Sequence, residues 1–523
     1  MESRQIRNIT ILGGGTAGWL TALYVKTVLP TKTITLVESD SIGILGAGEG
    51  STPQLINILD ACQIPVSEVI RKTGATFKQG IKFTNWTGGG ENDFYYHPFG
   101  AYGNIGASEV NLERLVTGSV STFAFAAKTG DPQTEWCFNS KTSEQNKLGF
   151  KRWNDGENYS ADNPIYQFEK MTAFSLHFNA RELAALLSEI GQERGIKRVE
   201  GIVASHTKDD NGFVTAMTLE DGTEIKTDFV FDASGLRSYF AKADDAKWIS
   251  AKEYLTVDSA MPFFLDMESP IPPHTESIAM KYGWIWKIPL QERYGCGYVF
   301  NSEFISDEEA REEIVEWLGY EPEWPREKSF KWEPGYLEEH WRKNVFSVGL
   351  ASGFVEPLEA TSIWTTVIQS LSRVLGNVEL LYTCDPEVQD QINAYFRGAQ
   401  EEVVGFLYTH YMGGRTDTDF WKHYTYENAP QVTKRWLDIA KKRAFSPEDA
   451  VGHYQFDIDS WSYILLGLKN KDFIEAHKLH EFYSFVRSFS SQRYESFKKR
   501  IDNIATFEAL PHEEVLEALL EEK

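Results

Sequence analysis

The sequence has few cysteines, and none sits in a local pair. Cys62, Cys137, Cys296 and Cys384 lie far apart without a CxxC spacing. That excludes a disulfide framework or a zinc ribbon as the basis of the fold and makes a reducing compartment the default. No apolar run approaches the ~18–20 residues that a membrane helix needs. Residues 1–7 are polar and lead into a strand pattern, unlike a signal peptide. Positive charge is also short: 52 Lys and Arg stand against 76 Asp and Glu, a net charge of −24. Such a chain is repelled by phosphate backbones and anionic lipid. The expectation is a cytoplasmic protein with no metal centre, no nucleic-acid partner and no membrane partner; a homo-oligomer is compatible with it.

What is present suits a large globular enzyme. A length of 523 residues corresponds to about three domain-sized pieces. Hydrophobic residues make up 42% of the chain, enough to bury a sizeable core, and the 14% of aromatics fits stacking on planar ligands, although core packing accounts for most of it. Ile9, Ile11 and Leu12 form a short apolar run, followed by Gly13-Gly14-Gly15-Thr16-Ala17-Gly18 and by helical spacing from Trp19 to Val28. Ile34-Thr35-Leu36-Val37 is a second strand ending at Glu38. Ser51-Thr52-Pro53 reads as a capping hydroxyl with proline at the first helical position, opening a helix to Ala61. Residues 87–167 look like a polar, aromatic insertion. Strand patterns return from Val199 to Val230 around an Asp221-Gly222 hairpin turn. Beyond about residue 380 the pattern is mostly helical.

The glycine hexamer follows a strand, opens a helix and precedes an acid at the end of the next strand, 20 residues beyond Gly18. In a dinucleotide site Gly13 makes the tight turn, Gly15 admits the pyrophosphate and Gly18 lets helix meet sheet. The helix start at Thr16 and Ala17 offers N–H groups to the phosphates, and Glu38 accepts from a ribose. The alternative is a purely structural turn in an α/β sheet. These motifs do not separate FAD from NAD. The strand Phe229-Val230-Phe231 running into Asp232-Ala233-Ser234-Gly235 resembles the later motif of FAD-binding monooxygenase-type folds, which disfavours an NAD-dependent dehydrogenase. Asn344-Val345-Phe346-Ser347-Val348-Gly349 resembles the strand that normally ends in Gly-Asp beside the flavin ribityl chain; Leu350 stands where that Asp is usual.

Trp284-Ile285-Trp286-Lys287-Ile288-Pro289 matches the WxWxIP motif of flavin-dependent halogenases of the tryptophan halogenase family, and the chain resembles that family from Ile9 to about Leu468. On its own the aromatic strand reads as core. The resemblance implies an α/β, FAD-binding Rossmann-like fold of the monooxygenase type, spanning 1–380 with inserted segments at about 87–167 and 250–330. A mostly helical substrate lobe, 381–523, completes it. Phe77 to Trp86 resembles the segment with the family's catalytic lysine, placing that role on Lys78; by pattern alone it reads as a solvated surface charge, the reading kept for Lys82. Phe354 to Ser362 resembles the loop near flavin and halide, with Glu359 as the second catalytic residue, Glu356 as a loop residue, and the N–H groups of Thr361 and Ser362 as halide donors. The family usually reads Glu-Ser-Thr-Gly where this chain has Glu359-Ala360-Thr361-Ser362. A left-handed Ser362 would cost on the order of 1 kcal/mol relative to glycine. Gly46 to Pro53 resembles the family's strap between flavin and lysine sites, and gives Ala47 and Glu49 cofactor contacts. Tyr96 to Gly100 resembles the substrate sandwich, implying stacking by His97 and Phe99. His410-Tyr411, Arg415 and Asp419-Phe420-Trp421 read as structural first.

The resemblance further implies that FADH2 from a separate flavin reductase uses O2 to oxidise chloride, bromide or iodide to hypohalous acid. The acid reaches Lys78 through a tunnel walled by Trp284 and Trp286 and halogenates a small electron-rich aromatic. An unperturbed lysine titrates near pH 10.4, so its neutral form at pH 7.4 lies roughly 4 kcal/mol uphill. The expectation is an ammonium at Lys78 that polarises the oxidant, with Glu359 orienting it and accepting the ring proton. Two other readings are an aromatic hydroxylase, which needs neither Lys78 nor the paired tryptophans, and a non-catalytic flavin-binding protein.

Overall fold

The computed structural model describes residues 4–43, 48–99, 120–152, 165, 168–450, 452, 455–483 and 491–521. The chain divides into two compact units. The first comprises Met1–Gly74, Phe178–Glu253 and Trp332–Gln400; the second comprises Ala75–His177, Tyr254–Lys331 and Glu401–Lys523.

The first unit is built on a six-stranded sheet. Its order is Lys197–Glu200, Thr33–Glu38, Asn8–Leu12, Phe229–Asp232, Val345–Ser347 and Trp341–Arg342. The first five strands are parallel and the last is antiparallel. Asn8–Leu12 is buried along its length, solvent touching only its first residue, as expected of a parallel strand covered on both faces. The helix Thr16–Val28 follows it, three residues longer at its start than the apolar spacing suggested. Helix Ala180–Glu193 is capped by the Asn179 side chain, which accepts from the Arg181 N–H. It meets Trp19 at Gly191, where a Cβ would fall 2.7 Å from the indole. The chain leaves the central strand Asn8–Leu12 to one side for Thr33–Glu38 and is joined on the other by Phe229–Asp232, so a crevice opens above their carboxyl ends. The expected hairpin is part of an antiparallel meander, Val203–Lys208, Val214–Leu219 and Glu224–Lys226, with Gly222 at φ +86 in its second turn. The helix Gln54–Ala61 begins one position later than expected, with Pro53, at φ −54, as the residue that precedes it.

The second unit contains a seven-stranded sheet in the order Phe330–Lys331, Ser259–Asp266, Arg293–Phe300, Gly283–Pro289, Thr275–Ala279, Gly80–Thr84 and Phe94–Pro98. One pair, Thr275–Ala279 with Gly80–Thr84, is parallel. A buried cluster of Met261, Phe263, Ile285, Cys296, Tyr298 and Phe300 from three adjacent strands packs with Ala310 and Ile314 of the helix Asp307–Leu318. Helices from residue 401 onward complete the unit. Among them Ile458–Gly467 lies so close to Phe94–Pro98 that a Cβ on Gly467 would sit 2.3 Å from the Tyr95 ring. All four cysteines are buried and free. No helix among the described residues is long and apolar enough to cross a membrane, and no group of His, Cys, Asp and Glu among them has the makings of a metal site.

Candidate functional site

In the first unit a cavity of about 880 Å³ opens above the crevice, lined by Gly13, Gly14, Gly15, Glu38, Ala233, Ser234, Gly235 and Leu350, with Arg198 and Arg237 at its wall. Gly13 has φ +116, and a Cβ there would meet the Ala233 carbonyl oxygen at 2.1 Å. A Cβ on Gly18 would meet the Gly13 oxygen at 1.9 Å, whereas the corresponding direction at Gly15 is open for 4 Å. Two glycines therefore close the turn and the third leaves room for a ligand. Gly14 has a separate role: the Glu38 carboxyl lies over its Cα, where a Cβ would come within 1.4 Å of Oε2. Glu38 Oε1 accepts from Arg198 Nε at 2.6 Å, and the same guanidinium donates to Asp40 and Glu200. Arg198 was not found from sequence; the signal available was an arginine two residues before an acid in a strand paired with Thr33–Glu38.

Asp232 is fully buried and its carboxylate serves its own turn, accepting from the N–H groups of Ser234 and Phe240 at 3.0 Å each. Burial raises its pKa from the ordinary carboxylate range. Gly349 has φ +63 and starts a short turn; a Cβ there would meet Ala17 at 2.7 Å, so it keeps the start of the first helix close. Glu49 is exposed in the two-residue strand Glu49–Gly50. Ala47 lies outside the described residues.

The loop from Phe354 ends in a helical turn. Glu356 and Glu359 are both buried, at 3% and 4% exposure. The Trp332 indole N–H donates to the Val355 carbonyl at 2.7 Å. Ala360, not Ser362, takes the left-handed conformation, at φ +54. The Ala360 N–H donates to the Pro357 carbonyl at 3.0 Å, closing a turn that ends there, while Ser362 is already helical. Residues Trp364–Ile368 form a π-helical turn before the α-helix Gln369–Leu375. The Thr365 and Thr366 hydroxyls bond back to the carbonyls of Thr361 and Ser362, the kind of back-bonding that widens a first turn.

In the second unit Lys78 ends the strand Thr76–Lys78 and is fully buried, contrary to the solvated reading of its pattern. Its Nζ lies 5.2 Å from the centroid of the half-buried Phe99 ring, within cation–π range. Lys82 is not a free surface charge either: it pairs with Glu144 at 2.7 Å and lies 4.1 Å from the Phe94 ring. His97 is half-buried in Phe94–Pro98, its ring 5.5 Å from Phe406 and 6.4 Å from Phe456. Trp284 and Trp286 project from the same face of Gly283–Pro289, with ring centroids 6.5 Å apart at 62°. Their indole N–H groups have no acceptor among the described residues. Trp286 lies flat across the partner strand at Gly297, where a Cβ would be 2.2 Å from the indole. His410, Tyr411 and Trp421 are buried among Phe83, Trp86, Tyr95 and Tyr424, and Arg415 is fixed by Asp417 and stacked on Trp421, a packing role.

Residues 8–480 match the tryptophan halogenase family. The chain belongs to that family. It is 30% identical over 442 residues to the tryptophan 6-halogenase ThaL of Streptomyces albogriseolus, covering 81% of this chain and 79% of that protein. It is likewise 30% identical over 444 residues to the tryptophan 7-halogenase RebH of Lentzea aerocolonigenes, covering 80% and 79%. Among solved structures, a flavin-dependent halogenase from Xanthomonas campestris superposes with a TM-score of 0.82 at 25% identity, covering 98% of both chains. BrvH, a flavin-dependent halogenase from Brevundimonas sp. BAL3, gives 0.80 at 26% identity, covering 98% of this chain and 99% of that one.

This halogenase therefore has the Rossmann-like α/β architecture that its motifs implied. The buried lysine also acts on His177 of the paired strand, and His274 and His512 bear on that same ring; sequence reasoning passed over all three histidines. His177, His274 and His512 are all buried. Burial holds His274 down to about 3 and His512 to about 4, and keeps His177 well below its usual range, with Lys78 the next contributor there. A histidine inside the apolar strand pattern Ser175-Leu176-His177-Phe178 was the available signal.

Proposed function

We propose that this enzyme uses FADH2, supplied by a separate flavin reductase, and O2 to halogenate a small electron-rich aromatic compound, an indole, a phenol or a related heteroarene, through hypohalous acid directed by Lys78. The observation that carries this reading is the complete burial of the Lys78 side chain beside the half-buried Phe99 ring. A lysine is almost never sequestered without a task or partner. The cavity with its open side at Gly15 fits FAD: Gly13, Gly15, Gly18 and the helix start at Thr16 and Ala17 would hold the pyrophosphate, and Glu38 the ribose. Bound there, the reduced flavin supplies the two electrons that O2 needs to oxidise a halide.

The protein's own residues do the rest. The N–H groups of Thr361 and Ser362, at the positive end of a helix, suit a halide. Trp284 and Trp286 present buried apolar surface, which keeps water from a reactive oxidant. Lys78 holds hypohalous acid by a hydrogen bond from Nζ, and Phe99 and His97 stack on the ring being halogenated. Glu359 accepts the proton that the ring loses. The reading divides the chain into a flavin-binding part, 1–380 with its inserted segments, and a helical substrate lobe, 381–523. Relatives named as tryptophan halogenases make an indole the first substrate to try.

Product mass decides between this reading and hydroxylation. Incubation with reduced FAD, O2, bromide and an indole panel is expected to replace a ring hydrogen by bromine, consuming one bromide per product and releasing water. Product carrying only an added oxygen, in amounts independent of bromide, identifies a hydroxylase. Glu359→Gln is expected to lower turnover steeply with flavin affinity unchanged; an undiminished rate removes Glu359 from the chemistry.

A further inference from the structure

The strands Thr76–Lys78 and Ser175–Phe178 pair antiparallel, with Lys78 opposite Ser175 and Thr76 opposite His177. Side chains two apart on a strand share a face, so Thr76, Lys78, Ser175 and His177 all project from one side of this ribbon. His177 is fully buried there and both ring nitrogens are engaged: Nδ1 lies 3.2 Å from Thr76 Oγ1, and Nε2 lies 3.0 Å from Thr275 Oγ1. The Thr76 hydroxyl has one proton, which it donates to the Pro289 carbonyl at 2.6 Å. Towards His177 it accepts, so the imidazole proton sits on Nδ1. The titratable groups that bear on this ring are Lys78 on the paired strand, His274 just before Thr275–Ala279, and His512 at the start of His512–Leu520. His512 has its own neutral form fixed, with Nε2 accepting from the Phe77 N–H at 3.1 Å and Nδ1 donating to the Ile271 carbonyl at 3.0 Å. Burial and the lysine charge together disfavour protonation of His177, leaving Nε2 to accept from the Thr275 hydroxyl.

We propose that His177 is a positioning residue for Lys78: locked as a neutral imidazole with its proton on Nδ1, it ties the strand that ends in the lysine to Thr275 and Pro289 without placing a second positive charge beside the ammonium. A lysine that directs an oxidant must be held in one place, because a displacement on the order of 1 Å can cost 10²-fold in rate. The hydrogen-bond chain from Thr275 through His177 and Thr76 to Pro289 couples four strands, among them the one that ends in the lysine. The proposal rests on the catalytic role proposed above for Lys78.

The test compares His177→Phe, which keeps a ring and loses both hydrogen bonds, with His177→Gln, which keeps one donor and one acceptor. Bromination of an indole substrate is followed as kcat and KM separately, with FAD affinity measured by flavin fluorescence. His177→Phe is expected to lower kcat roughly 10- to 100-fold, with KM and FAD affinity within about twofold, and His177→Gln to recover most of kcat. Nitrogen-15 histidine spectra of the wild-type enzyme are expected to show His177 neutral and protonated on Nδ1 from pH 6 to 8. An undiminished kcat in His177→Phe, no recovery in His177→Gln, or a His177 signal with its proton on Nε2 or on both nitrogens overturns the proposal. Should His177→Phe fail to fold, the glutamine variant and the spectra still decide it. Lys78→Ala assayed in parallel separates the two ideas: wild-type turnover in that variant overturns the role of the lysine, whereas the tautomer is read without turnover.

Discussion

The two candidate regions are assembled in opposite ways. The cavity of the first unit is made largely by short-range turns, 13–18 after one strand, Glu38 at the end of the next and 232–235 after a third, all at the carboxyl ends of adjacent parallel strands. The surroundings of Lys78 draw on Thr76, Phe99, His177, Thr275, Pro289 and His512, spread over more than 400 positions of the chain. A site of the first kind is written in glycines, because backbone must approach ligand. A site of the second kind is written in buried polar side chains, whose partners become neighbours only through sheet pairing.

That contrast can be broken at its strongest point by Lys78→Ala. Loss of roughly 10²-fold or more in halogenation is expected, with flavin affinity unchanged, as read by product formation and a flavin titration; a parallel loss of flavin binding would mean the two regions are not separable. The converse variant is Gly13→Ala, whose Cβ meets a backbone carbonyl at 2.1 Å. Such a contact cannot be relieved by a rotamer, so flavin binding should fall with a stability loss of about 3 kcal/mol. Unchanged affinity would contradict the assignment of this turn to the cofactor. Gly297→Ala pushes on Trp286 within the second unit and should cost about 1–3 kcal/mol in denaturant unfolding, leaving flavin binding intact.

Acidification sharpens the comparison further. His177, His274 and His512 in the second unit are held neutral by burial, as is His340 in the first, whose pKa is lowered to about 3. The unfolded chain binds protons at these residues near pH 6.5 and the folded chain does not. Stability is therefore full above pH 6.5 and falls as pH drops towards the folded values. Each histidine should remove about 1 kcal/mol between pH 7 and 5.5, and equilibrium unfolding across that range measures the sum. Replacing His512 by Gln should flatten the slope by one histidine's share; an unchanged slope would place its proton elsewhere. The smallest effect expected is at Ala360, whose φ of +54 strains any residue with a Cβ. Ala360→Gly should raise stability by about 0.5–1 kcal/mol, and a loss would show that the alanine methyl packs favourably enough to offset the strain.

Much of the first unit could be read from the chain because its signals are local. A helix read from Trp19 to Val28, which begins at Thr16, a strand ending at Glu38 and the turn at Gly222 each depend on residues within a few positions of one another. The same reading failed where one residue's environment depends on another's backbone. It placed the possible left-handed residue at Ser362, because the family's glycine stands there, whereas the turn closed by Pro357 brings the strain to Ala360. It left Lys82 in solvent, although Phe94 on the neighbouring strand and Glu144 at the end of the helix Phe138–Glu144 meet it. It also missed Arg198, which reaches Glu38 only because Lys197–Glu200 pairs beside Thr33–Glu38.

By itself, then, the amino-acid order determined the glycine turn, the acid that follows it, the flanking parallel strands and the motifs that mark the tryptophan halogenase family. Each of these is a matter of backbone freedom or side-chain spacing along a single segment. Tertiary structure alone decided that Lys78 is buried and that His177 carries its proton on Nδ1, and it alone made the room for Trp286 at Gly297. Burial and tautomer are set by which atoms from distant segments come within hydrogen-bond or van der Waals reach, and pairing of strands far apart in the chain is what brings them there.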